Sequence, residues 1–323
     1  RNVPIAFVDE DRSIASKRII DSFYKPHFLK PDTISFSEID SVMDSGKYTF
    51  VVVIPDGFEQ DLYKQEGVSI QLNIDATRMS QAGIGASYIS QIVSQEVQSF
   101  LKAPSYKPQI ELVTSYKFNP NIEGSWFGSI NEIISNIMMF AILLTGAALM
   151  REREHATIEH LLVMPIRSAE ILLAKILSTT IVVLLGVVFA LFVVVGLVLN
   201  IPLSGSLALF LFACVFVLFA TSSIGIFLAT ITSSMPQFGM MFILVVLPLL
   251  MLSGGVTPYE SMPVALQYIM YLSPTTHFID LAQAILFRGA GLESVYMDIF
   301  AVFIIGVFFF AFTLLTFKKN INT

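Results

Sequence analysis

The run Arg151-Glu-Arg-Glu-His-Ala-Thr-Ile-Glu-His160 is the part of the chain richest in side chains that could do chemistry. His155, Glu159 and His160 are types that hold zinc, with a glutamate as base. Their spacing is H-x-x-x-E-H, one residue longer than the inverzincin pattern, and histidines five apart do not share a helix face as a pair four apart does. An intramembrane metalloprotease is therefore set aside on spacing. Asp9, Asp11 and Asp75 fall at the ends of apolar runs, where a binding site can form, although acids there more commonly just end a strand. His27 stands alone in a Lys- and Pro-rich loop and reads as a surface residue. No G-x-x-x-x-G-K-[ST] run occurs, so ATP hydrolysis by that phosphate cradle must belong to another subunit. Cys214 is the only cysteine, which excludes an intrachain disulfide and a multi-cysteine metal site. No catalytic, cofactor-binding or metal-ligating set emerges.

The same stretch does make a good amphipathic helix. From Glu152 to Met164 the pattern is helical, with Ile158, Leu161 and Leu162 on one face and Glu152, Glu154, His155 and Glu159 elsewhere. Pro165 stops it, and Ser168 is placed to cap the next helix with Glu170 in its first turn. A helix as rich in acid as in base is poorly suited to anionic lipid headgroups, so a protein partner is the better reading.

The elements around it live in two solvents. Hydrophobic residues make up 54% of the chain, charged residues 14%, and mean hydropathy is +0.73, far from a soluble domain. The charges are concentrated in residues 1–127, and the remainder is nearly bare of them. A net charge of −6 offers no basic patch for nucleic acid. Residues 1–127 alternate strand-like and helix-like runs: 3–8, then 13–24, a helix capped by Ser37 and stopped by Gly46, then 48–54, 69–74, 80–101 and 110–118. This predicts a small α/β sheet domain, left through Pro104, Pro108 and Pro120.

Residues 128–323 predict a polytopic α-helical transmembrane bundle, because a bilayer core of about 30 Å needs roughly 20 apolar residues in a helix. Five spans are expected, at 130–150, 171–199, 207–231, 238–252 and 299–317, the fourth short, interrupted by Pro248 and bent or re-entrant at its end. Arg151, Arg153, Arg167, Lys175, Lys318 and Lys319 flank one side of these spans, which the positive-inside rule makes cytoplasmic. That puts the C-terminus inside and the α/β domain outside the cell. The first residue is Arg rather than Met, so an upstream segment is expected, and one further span there gives six. Glu132 lies in the first turn on the outer side and Lys175 close to the inner one, so no ion relay through the bundle centre is expected.

Taken together, Arg151-Glu-Arg-Glu154, Thr157-Ile158-Glu159, Leu161-Leu162, Pro165-Ile166, Glu170 and Lys175 resemble the coupling segment of the membrane subunit of ABC type-2 exporters. Ala156 replaces the family's usual Gly. SGGVTPYESMP at 253–263 and SPTTHFIDLAQAILFRG at 273–289 resemble the family's outer hairpin and closing helix, and Phe118-Asn119-Pro120 the approach to its second span. The large polar domain suits the multidrug-exporter-like branch. The resemblance implies a permease without an ATPase site or bound cofactor, in a bacterial inner membrane. It implies a separate ABC ATP-binding subunit carrying ATP and Mg, a second copy or paralogue of the permease, contact with membrane lipid and a periplasmic accessory protein. It assigns Glu152, Arg153, Glu154, Thr157, Ile158, Glu159, Leu161, Leu162 and Pro165 to coupling. Gly254, Gly255, Pro258, Met262, Pro263, Pro274 and Asp280 go to an outer gate. The expected cargo is a hydrophobic or amphipathic small molecule; export of ions, lipids or polymers, and ligand sensing through the polar domain, are the alternatives.

Overall fold

The computed structural model describes residues 3–24, 28–64, 67–101, 110–117, 124–155, 167–254 and 262–321. The chain divides into two compact units, Arg1–Phe127 and Gly128–Thr323.

The first unit is an α/β sandwich on a five-stranded sheet of order β2-β1-β3-β4-β5, with β1 Ile5–Asp9, β2 Asp32–Thr33, β3 Phe50–Ile54, β4 Val68–Asp75 and β5 Ile110–Lys117. Only the β3–β4 pair is antiparallel. The two-residue period of a strand sorts its side chains between faces. Ile5, Phe7, Phe50, Val52, Ile70 and Leu72 face helices α1 (Ile14–Ser22), α3 (Phe58–Lys64) and α4 (Met79–Leu101), while Ala6, Val8, Val51 and Val53 face α2 (Ile39–Asp44). β3, covered on both faces, is apolar throughout, as such a strand must be.

The acids at the strand ends are explained locally. Asp9 accepts from the Arg12 amide at 2.9 Å and the Ser16 hydroxyl at 3.0 Å, Asp11 from the Glu59 amide at 3.1 Å, and Asp75 from the Thr77 amide at 2.9 Å. They fasten the turns that leave the strands, and no metal-binding group of acids or histidines exists among the described residues. One expectation needs correction. Helix α2 begins at Ile39 with Glu38 as its N-cap, and Ser35, whose amide donates to Glu38 at 2.8 Å, caps the short 3-10 turn Phe36–Glu38 that precedes it, so Ser37 lies inside that turn rather than capping the helix. The structure also adds helix α3, whose seven residues are too few to give a periodic signal in the sequence. His27 lies outside the described residues.

The second unit is helical: α5 Gly124–Glu154, α6 Ser168–Phe189 continuing as π-helix over Ala190–Val198, α7 Leu207–Ile231, α8 Met235–Met251, α9 Val264–Tyr271, α10 Pro274–Leu286 and α11 Leu292–Ile321. Among the described residues, four helices are long and apolar enough to cross a membrane, at Gly128–Glu154, Ser168–Val198, Leu207–Ile231 and Leu292–Phe317. This corrects the expected five spans. The helix at 238–252 belongs to α8, whose 17 residues rise about 26 Å, short of a bilayer core of about 30 Å, with Pro248 in its last turns.

Buried share separates the spans, at 50% and 56% for α5 and α7 but 22% for α6 and α11, so α5 and α7 form the centre. Glycines bring the central helices together. A Cβ on Gly225 of α7 would lie 2.3 Å from the Ile142 carbonyl oxygen of α5, and one on Gly146 of α5 would lie 2.3 Å from the Phe238 ring of α8. In helices without a water-driven force between them, such close approach of backbones supplies the packing energy. Thr221, Ser223 and Thr230 of α7 donate their hydroxyls to the carbonyls four residues back, at 2.8, 2.7 and 2.8 Å, so these polar groups need no water.

The bundle has a basic end and an opposite end. At the basic end, Leu149 and Met150 of α5, Leu172 of α6 and Phe317 of α11 share one apolar cluster. At the opposite end, α10 is buried along its whole length except at Asp280. Phe278 stacks on Phe210 of α7 at 6.1 Å, and the Ser204 amide donates to the Leu286 carbonyl at 3.0 Å.

Candidate coupling site at the basic end of the bundle

Helix α5 carries 31 residues, about 46 Å, well beyond what a bilayer core requires. Its surplus turn is Arg151-Glu152-Arg153-Glu154. That turn is folded into the corner between α7 and α8. Arg153 is half-buried and its Nη1 donates to the carbonyls of Ala229 at 2.7 Å and Thr232 at 2.8 Å, at the C-terminal end of α7. Glu154 Oε1 accepts from the amide of Met235, the first residue of α8, at 2.6 Å. A helix leaves carbonyls unpaired at its C-terminus and amides unpaired at its N-terminus, with partial charges to match. The cation therefore sits on the negative end of α7 and the anion on the positive end of α8, and one turn of α5 closes both. Ser234 is the N-cap of α8, its side chain accepting from the Gln237 amide at 3.5 Å.

Glu152 pairs with Lys175 and ties α5 to α6. Both line a cavity of about 420 Å³ with Ala148, Glu170, Ile171 and Thr179. The start of α6 differs in detail from expectation. Arg167 is the N-cap and its amide donates to Glu170 at 3.1 Å, so Ser168 is already helical rather than capping.

The coupling residues named from sequence thus fall into two groups. Glu152, Arg153 and Glu154 are brought together, each with a partner on another helix. Thr157, Ile158, Glu159, Leu161, Leu162 and Pro165, with most of the 152–164 helix and His160, lie outside the described residues. The sequence marked Arg153 and Glu154 only as polar positions of a docking helix. Their inward role had a signal, because they alternate in sign immediately beyond an apolar span, where helix ends need caps.

At the opposite end, Gly254 has a φ of +101°, which only glycine adopts easily, and Gly255 and Pro258 lie outside the described residues. Met262 is buried and its carbonyl accepts from Gln267 Nε2 at 3.0 Å. Pro263 opens α9 and buried Pro274 opens α10, behind the Ser273 cap, while Asp280 is exposed. The Thr275 hydroxyl donates to the Leu249 carbonyl at 3.3 Å, joining α10 to the end of α8.

His277 was not singled out from sequence. Its Nδ1 lies 2.9 Å from Asp298 Oδ1 and its Nε2 lies 2.8 Å from the Tyr271 carbonyl, so both ring nitrogens face acceptors. A neutral imidazole has one N–H and satisfies one of them; the imidazolium satisfies both. Burial opposes the charge, but the bonds to Asp298 and to the Tyr271 carbonyl outweigh it and raise the pKa above 6.5. A raised folded pKa gives stability that is complete below the unfolded pKa and lost as pH rises through the folded value. The thermal stability of His277→Gln relative to the parent should therefore show its full deficit below pH 6.5 and a shrinking one on the alkaline side. A deficit that grows with pH would contradict this reading.

Among the described residues, four candidate spans, a capped and clamped basic end and a buried helix at the other end describe a polytopic helical membrane protein. The profile of the ABC-2 family transporter protein family matches residues 1–315, and the chain belongs to that family of membrane subunits. Among curated relatives, it is 51% identical over 322 residues to the inner membrane transport permease YhhJ of Escherichia coli (strain K12), covering 99% of this chain and 86% of the relative. It is 29% identical over 307 residues to the probable multidrug ABC transporter permease YbhR of the same organism, covering 94% and 83%. A third relative, the probable multidrug ABC transporter permease YbhS, is 25% identical over 291 residues, covering 88% and 76%. No solved structure matches significantly. The apolar helices and these relatives support a multi-pass inner membrane protein.

Proposed function

We propose that this chain is the membrane half of an ATP-driven exporter of hydrophobic or amphipathic small molecules. The basic end faces the cytoplasm and the α/β domain faces outward. A separate ABC subunit docks on the segment that follows Glu154 and supplies ATP and Mg, and a second copy or paralogue completes the pathway. The observation that carries the reading is the clamp of Arg153 on Ala229 and Thr232 and of Glu154 on Met235. A push on the segment beyond Glu154 reaches α5, α7 and α8 as one body, the rigid-body movement that alternating access uses. The names of YbhR and YbhS favour drug-like cargo.

The test is purification of the full-length protein from native membranes in mild detergent, with an ATPase assay on what accompanies it. An ATP-binding cassette subunit should co-purify and be lost when residues 156–164 are scrambled. Purification without any nucleotide-binding partner would overturn the proposal. The ion pair makes a finer prediction. Glu152→Lys sets two ammonium groups against each other and should cut cargo-stimulated ATPase severalfold, and adding Lys175→Glu should restore most of it.

A further inference from the structure

A groove of about 490 Å³ runs between α5 and α6, within the size range of small-molecule sites. Its polarity is graded. Ser129, Glu132 and Asn136 line one end, and Leu144, Val182 and Gly186 line the other. Twelve residues of helix separate Glu132 from Leu144, a length of about 18 Å. Asn136 Nδ2 donates to Glu132 Oε1 at 3.0 Å and to the Glu132 carbonyl at 2.8 Å, which fixes the carboxylate at the groove's polar end. No Lys or Arg lines the groove among the described residues. The α6 wall passes into π-helix at Ala190 and Val194, a widening often found at functional sites.

We propose that this groove binds an elongated amphipathic cation, its charged head on Glu132 and its apolar tail along Phe140, Leu144, Val182 and Gly186. A carboxylate held at one end of an apolar groove that no described Lys or Arg lines favours a cationic head and disfavours an anionic one. A phospholipid fits less well, because its phosphate would face the same carboxylate. The assignment names the cargo class for the export reading and rests on that reading for its purpose, but binding itself is independent of it.

The test uses the full-length permease with its co-purifying subunit in nanodiscs. The probes are a fluorescent single-chain quaternary ammonium and its uncharged alcohol analogue. The cation should bind the parent more tightly than the alcohol. Glu132→Gln should weaken the cation about three- to fivefold and leave the alcohol unchanged, the expected size of one exposed ion pair. Gly186→Leu should weaken both, since nothing lies within 4 Å of a Cβ there and the side chain enters the groove without a clash. Equal binding of the two probes, or a Glu132→Gln protein that binds the cation as the parent does, overturns the site. So does a Gly186→Leu complex that no longer assembles, which means that protein fills the groove. Charge-selective binding without ATP-driven transport leaves the site standing and removes only the export reading.

Discussion

Arg153→Ala is expected to abolish ATP-driven transport while the partner subunit continues to hydrolyse ATP. The substitution removes the one group that pairs both the Ala229 and Thr232 carbonyls at the end of α7. Hydrogen bonds to a charged donor contribute about 1.5–3 kcal/mol each when partners are buried. Because Arg153 is only half-buried, about 2–3 kcal/mol in total is the reasonable size. That is enough to free the corner between α7 and α8 without unfolding the bundle, whose core lies in the apolar clusters of α5 and α7. Arg153→Lys keeps the charge but not the fork, so it should reach one carbonyl and restore part of the coupling. Arg151→Ala, at an exposed position two residues before Arg153, is the control and should change little. Hydrogen exchange at Ser233–Met235, faster in Arg153→Ala and unchanged in Arg151→Ala, checks the structural part of the claim.

Gly225→Leu should have the largest effect on folding. At Gly225 a bare Cβ already meets the Ile142 carbonyl oxygen at 2.3 Å and its carbon at 3.0 Å, and neither backbone atom can yield as a side chain can. Overpacking costs about 1–3 kcal/mol where side chains adjust, and more where two helix backbones must part. Separating α5 from α7 also opens the contact of Gly146 with Phe238, so three helices lose their fit. The expected result is little or no folded protein in membranes, measured as monodisperse yield after extraction. Gly239→Leu on α8, where nothing lies within 4 Å of the Cβ, should yield near-parental amounts. Equal yields of the two variants would show that the central helices are not held by that close approach.

Sequence legibility followed the strength of each physical signal. Long, nearly uncharged apolar runs mark α5, α6, α7 and α11 plainly, because only helices satisfy their backbone in lipid. The run at 238–252 carries the same apolar composition, and only its length separates α8 from the other spans. In the α/β unit, β1, β3 and β4 follow from alternation and burial, whereas α3 and the Ser35 cap depend on a few local bonds that composition does not display. At the basic end, the sequence identified Glu152, Arg153 and Glu154 as a charged turn. Their actual partners on α6, α7 and α8 are 23, 76 to 79 and 81 residues away, and no local pattern encodes such pairings. His277 and Asp298 are a similar case, 21 residues apart and joined only by the fold of α10 against α11.

The most direct measurement is ATP-dependent uptake of a fluorescent amphiphile into inverted inner-membrane vesicles holding the permease and its co-purifying subunit, with ATP hydrolysis followed in the same sample. The account predicts uptake in the parent that requires ATP, and in Arg153→Ala no uptake with hydrolysis continuing. Parental uptake by Arg153→Ala would contradict it, because force would then reach α7 and α8 by a path that does not pass through the clamp.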